Sequence, residues 1–143
     1  MMRHVVVINP NTSASATGRM LEIARASADP RVVFSGLTAE FGAQLITDEP
    51  QPEQARRAVL ALLDDVAPES AGVVVAAFGD PGLEDLRRAL SIPGAGIGEA
   101  GLLAAAAGGR RFAVVTTTPG LVASIGAKVA RLGLASRYAG TFL

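Results

Sequence analysis

The stretch Val73-Val74-Val75-Ala76-Ala77-Phe78-Gly79-Asp80-Pro81-Gly82-Leu83 runs from apolar residues into a turn of small ones and then into a helix start. Such a junction presents a side chain at a strand's carboxyl end, where open α/β sheets bind their ligands. Two other stretches share the plan: Asn9-Pro10-Asn11-Thr12-Ser13 follows Val5-Val6-Val7-Ile8, and Thr116-Thr117-Thr118-Pro119 follows Phe112-Ala113-Val114-Val115. The amides of Asn9 and Asn11 and the hydroxyls of Thr12 and Ser13 can hold a carboxylate or an imide beside free helix N–H groups. Turn formation and capping alone would justify one Asn and one Thr there. Thr117 and Thr118 can donate to a ligand, although threonine is also an ordinary strand terminator. Asp80 is expected to cap a helix rather than act as an acid. His4 lies at a strand entry, the wrong end for chemistry, and reads as structural. At the junction itself stands Ala77, which has no proton to give or take.

These groups must be carried by alternating strands and helices. Val5 to Ile8 reads as a strand covered on both faces. Asn11 or Thr12 then caps a helix whose apolar positions Ala16, Met20 and Ile23 share a face. Asp29-Pro30 ends it, and Arg31 to Ser35 reads as a second strand. Gly36 to Gln51 is expected to form a long loop containing Phe41, Gly42 and Gln44. A helix is predicted from Pro52, with Ala55, Val59, Leu62, Leu63 and Val66 on one face. Val73 to Ala77 is the third strand. Asp80 as cap and Pro81 in the first turn start a short helix through Leu83, Leu86 and Leu90. Ile92 to Ile97 is a weaker strand interrupted by Pro93, followed by a helix from Glu99 to Ala107. Arg110 to Thr116 is a fifth strand. The last predicted helix starts near Pro119, carries Val122, Ile125, Val129 and Leu132, and ends at Gly133. This order implies an α/β fold, a doubly wound parallel sheet with helices on both faces.

A weak internal repeat relates residues 3–12 to residues 111–120: a basic entry, an apolar strand, a polar turn with proline, then a helix. It suggests two similar lobes facing each other, the first spanning 1–97 and the second, 98–143, unfinished at Leu143.

Composition narrows the chemistry. Half of the 143 residues are apolar and 18% are charged, which fits a packed domain rather than extended disorder. Formal charge is zero, so nothing favours nucleic acid or a membrane surface. The charge is unevenly spread: residues 1–99 carry all 13 acids and 8 of the 13 basic residues, while 100–143 carry five basic residues and no acid. That asymmetry can favour an anionic ligand, or simply mark a solvated basic face. With no cysteine there is no disulfide, thiolate metal site or thiol catalysis in these residues, and a lone histidine makes no multi-histidine metal site. No secretory leader is read, because Asn9, Pro10 and Asn11 cut the first apolar run, and a cytoplasmic location is expected. Gly96-Ile97-Gly98-Glu99-Ala100-Gly101 matches the dinucleotide pattern G-x-G-x-x-G. The strand before it is broken by Pro93 and no acid follows Glu99 to hold a ribose, so close packing of helix on strand is the better explanation.

Taken in order, INPNTS (8–13), AFGDPGL (77–83), GIGEA (96–100) and RRFAVVTTTPG (110–120) resemble the hydantoin racemase family of the aspartate/glutamate racemase superfamily. The resemblance covers nearly the whole chain. It implies two similar α/β lobes with the active site between them, no cofactor, a small-molecule substrate (a hydantoin, allantoin or an amino acid) and homo-oligomeric assembly. It also implies a chemistry in which two thiols face opposite sides of an acidic carbon, one removing the proton and the other returning it. Carried over, Asn9, Asn11 and Thr12 match the first substrate loop, Phe78 and Gly79 the turn beside the first thiol, and Thr117 and Thr118 the hydroxyl loop of the second lobe. Gln44 falls in the loop that covers the site. The first thiol position is Ala77, and the second lies in a Gly-Cys motif beyond Leu143. Racemisation by these residues alone is therefore not expected. The alternatives are a non-catalytic module for small carboxylates or imides, and a one-thiol decarboxylase or isomerase if the chain is longer.

Overall fold

The computed structural model describes residues 1–43 and 50–143. Gln44 lies outside the described residues.

β1 (Arg3–Asn9) is the seed of the main sheet. Its valines and Ile8 are β-branched, and burial deepens along it from exposed Arg3 to fully enclosed Ile8 and Asn9. β2 (Val32–Thr38) pairs with it in parallel from Arg3↔Val32 to Asn9↔Thr38. β3 (Gly72–Val75) lies on the other side, Val6 opposite Val73, and β4 (Gly94–Gly96) completes the order β2-β1-β3-β4, all parallel. The helices between these strands are α1 (Ala14–Ser27), α2 (Pro50–Ala61) and α3 (Leu83–Ala89). This is the predicted α/β architecture of parallel strands and covering helices.

Several boundaries differ from expectation for local reasons. Ser13, not Asn11 or Thr12, caps α1: its Oγ accepts from the Ala16 N–H at 3.2 Å, while Asn11 Oδ1 is bonded one step earlier, to the Ser13 N–H. β2 runs on through Gly36, Leu37 and Thr38, where a loop was predicted; a polar Ser and a Gly obscured a strand that the β1 ladder enforces. α2 begins at Pro50 rather than Pro52, and β3 ends at Val75, leaving Ala76 and Ala77 in the turn.

α4 (Ile97–Ala106) and β5 (Phe112–Val115) follow, and a single tight turn over Pro119–Leu121 leads into α5 (Val122–Arg131). β6 (Tyr138–Phe142), not expected from the sequence, pairs with β5 in parallel, with a bulge between Phe112 and Val114. Gly133 ends α5 as predicted. At φ 71° it lets its own N–H reach the Ala130 carbonyl and the Leu134 N–H the Val129 carbonyl.

The apolar side chains gather in two clusters. The first is Val6, Ile8, Val59, Leu62, Val66, Val73, Val75, Leu83 and Leu86, between the main sheet and α2–α3. The second is Leu102, Ala106, Phe112, Val129 and Leu134, with Tyr138 stacked at a tilt on Phe112, ring centres 5.8 Å apart. Each wholly enclosed aliphatic side chain contributes about 1.5–3 kcal/mol, so the larger cluster anchors the strand ends that carry the site.

Candidate functional site

At the carboxyl end of β1 the chain turns through Pro10 and Asn11. Asn9 is completely buried, and its side chain is fully engaged: Nδ2 donates to the Ser13 carbonyl and to Thr17 Oγ1, both at 3.0 Å, and Oδ1 accepts from the Asn11 N–H at 3.0 Å. Thr17 Oγ1 continues the network to Thr38 Oγ1 at 2.7 Å, tying the loop to the end of β2. Asn9 therefore shapes the loop, and Asn11 is the amide that it presents.

The neighbouring turn, after β3, is held by the Ala76 N–H on the Ile8 carbonyl at 2.8 Å and by the Asp80 N–H on the Ala77 carbonyl at 2.9 Å. Asp80 has φ 49°, the one described non-glycine residue in the left-handed region, a conformation that costs energy unless its surroundings hold it. They do. Its buried carboxylate accepts from the N–H groups of Gly98 at 2.9 Å and Glu99 at 2.7 Å, and from Lys128 Nζ at 2.6 Å. Asp80 does cap a helix, but α4 rather than the predicted α3, whose cap position is Gly82 at φ 73°. The free N–H groups and positive dipole end of α4 stabilise the carboxylate. GIGEA is thereby explained. A Cβ on Gly96 would strike the Asp80 carboxylate and one on Gly98 would strike the Phe78 carbonyl oxygen. The glycines permit close packing, as expected, against the turn after β3.

Arg87 secures this junction from α3. It donates to Glu99 at 2.8 and 3.2 Å and to the Gly94 carbonyl at 3.1 Å, and its guanidinium holds the Glu99 carboxyl below its ordinary value of 4.5. At the far end of the sheet, His4 bonds Ser35 Oγ at 2.8 Å and Ser70 Oγ at 3.1 Å, in keeping with a structural role.

A cleft of about 430 Å³ opens between the turn after β3 and α5. Ala76, Ala77, Phe78, Gly79 and Pro81 form one wall, with Asn11 and Pro52 beside them. The opposite wall comes from Leu121 and from α5, which turns Ser124, Ile125, Lys128 and Arg131 towards it. Of the residues predicted to touch a ligand, Asn11, Phe78 and Gly79 meet here, together with Ala77. Thr12, Thr117 and Thr118 do not line this cleft: the Thr12 N–H donates to the Ala43 carbonyl at 3.2 Å and the Thr118 N–H to Thr116 Oγ1 at 3.1 Å. Sequence reasoning missed the α5 wall. Its only signal was a lysine three residues before an arginine on a helix otherwise read for its apolar face.

Residues 5–142 match the family described as Asp/Glu/Hydantoin racemase. The chain belongs to this family. It is 32% identical over 124 residues to the hydantoin racemase of Rhizobium meliloti, an alignment covering 81% of this chain and 48% of that protein. Its structure is similar to that of allantoin racemase from Klebsiella pneumoniae, with a TM-score of 0.92, 30% identity, and coverage of 98% of this chain and 58% of the other. Allantoin racemase from Pseudomonas fluorescens gives a TM-score of 0.90 and 32% identity, over 97% of this chain and 59% of the other. This racemase-family chain thus spans about half the length of the relatives it matches. Among the described residues no helix is long and apolar enough to cross a membrane.

Proposed function

We propose that these residues form the ligand-binding wall of a racemase-type site that holds a small carbonyl compound, a hydantoin, allantoin or an amino acid, but cannot by themselves invert it. The observation that carries the proposal is the position of Ala77 on the cleft, between Ala76 and Phe78 and facing α5. Inversion at an acidic carbon needs one group to remove the proton and another to return it from the opposite face. A methyl group does neither. The surrounding groups fit the binding half of the task. Asn11 and the main-chain amides of the turn can meet a carbonyl, and apolar Phe78 and Ile125 can exclude water from it. The lobe division at residues 97/98, homo-oligomeric assembly and a cytoplasmic location belong to the same reading.

The test is proton NMR of the 143-residue chain with a chiral 5-substituted hydantoin and with allantoin in deuterated buffer. Line broadening or a titratable heat of binding is expected, with no deuterium at the acidic carbon above the buffer rate. Catalysed deuterium incorporation accompanied by loss of optical rotation would overturn the proposal.

A further inference from the structure

We infer that Arg131 is the residue with which this cleft recognises a negative charge on its ligand, so that it prefers a carboxylate-bearing compound, such as an N-carbamoyl amino acid, to the neutral hydantoin ring. The inference rests on reading the cleft as the ligand site.

Among the described residues that line the cleft, two are cations, Lys128 and Arg131, and none is an acid. Lys128 is already matched, because its ammonium is bonded to Asp80 at 2.6 Å in a buried pair. The side chain of Arg131, three residues on and so on the same face of α5, makes no hydrogen bond or ion pair with the described residues. By contrast, Arg31, Arg56 and Arg87 each hold a carboxylate at 2.7–2.8 Å. No competitor lies near Arg131 in sequence, since residues 100–143 contain no Asp or Glu. A guanidinium offers a planar fork that meets a carboxylate through two parallel N–H···O bonds. Arg131 is exposed at the rim of a cleft that Phe78, Pro81, Leu121 and Ile125 also line, so its guanidinium is open to an incoming anion.

The experiment is calorimetric titration of the 143-residue chain with a matched pair: 5-methylhydantoin and N-carbamoylalanine, its ring-opened form. The open form is expected to bind roughly tenfold tighter, the size of a charge-assisted contact. Arg131→Gln should abolish that difference by lowering the affinity for N-carbamoylalanine more than that for the hydantoin, and Arg131→Lys should restore part of it. Circular dichroism melting checks that both variants fold. If the native chain binds both compounds equally, or Arg131→Gln weakens both alike, the role of Arg131 is refuted while the cleft reading stands. If neither compound binds, the two readings fall together.

Discussion

Lys128 and Asp80, 48 positions apart in sequence, are joined by a buried ammonium–carboxylate contact of 2.6 Å. Asp80 stands in the turn after β3 and Lys128 on α5, so this pair fixes the two walls of the cleft against each other. Removing one partner leaves the other charge enclosed and uncompensated. Lys128→Met is therefore expected to lower stability by about 3 kcal/mol, read as a reduced urea midpoint. The double variant with Asp80→Asn should lose less than the sum of the two single losses.

The glycines of α4 give a matched comparison. At Gly98 an added methyl would overlap the Phe78 carbonyl oxygen, so Gly98→Ala should destabilise by about 1–3 kcal/mol or prevent folding. At Gly101, inside the same helix, nothing lies within 4 Å of the added carbon. Gly101→Ala should instead stabilise by about 0.5–1 kcal/mol. Thermal melts of the two variants, moving in opposite directions, check the assignment.

Asn9 and Asn11 separate positioning from contact. Asn9→Ala breaks three hydrogen bonds of a buried amide and should lower stability by about 2–3 kcal/mol. Asn11, half-buried on the cleft, has one bond to the Ser13 N–H and should cost less than about 1 kcal/mol when truncated. The larger loss of ligand affinity per unit of lost stability is expected at Asn11, from melts and titrations of the same preparations.

Ala77→Cys introduces a single thiol into a chain that has none. A colourless thiol reagent followed by mass spectrometry should add one label per chain, and a saturating ligand should slow that labelling. No inversion of a single hydantoin enantiomer is expected even then, because one thiolate can only remove the proton and return solvent deuterium from the same face, which keeps the configuration. Loss of optical rotation above the buffer rate would contradict the two-group requirement.

Acid should loosen the α3–α4 junction. Glu99 is held below its usual 4.5 by hydrogen bonds from Arg87, with Lys128 adding a smaller effect. A carboxyl lowered in the folded state favours folding above its unfolded value, and this contribution is lost as pH falls through the lowered one. The loss therefore falls in the window beneath 4.5. Arg87→Gln returns Glu99 towards its ordinary value and removes the contribution, so acid unfolding followed by circular dichroism should begin at higher pH in that variant.

The strands and helices that were legible beforehand are those whose signal is local. The Val5–Ile8 run, the Ala55/Val59 face of α2 and Gly133 at the end of α5 each act through near neighbours, and each emerges as read, whereas α2 ends at Ala61 and the predicted Leu62 and Val66 reach the same core from the turn beyond it. β6 escaped because Ala139, Gly140 and Thr141 break any apolar run, and only pairing with β5 makes them a strand. The partner of Asp80 was equally hidden. An aspartate before a proline and a helix reads as a cap for that helix, and nothing in the spacing tells that its carboxylate turns instead to Gly98, Glu99 and Lys128. Half of the cleft was therefore visible as rim loops, while the opposing wall depended on contacts between distant segments.

The Asp80 turn also bears on how this polypeptide can be divided. The sequence repeat invites a cut near residue 97, since most aliphatic packing falls on one side of it or the other. Such a cut would put an aspartate adapted to enclosure in one fragment and every group that neutralises it in the other. Each piece would expose what the other was built to cover, so the seam suggested by the repeat is a poor place to separate the protein into independent halves.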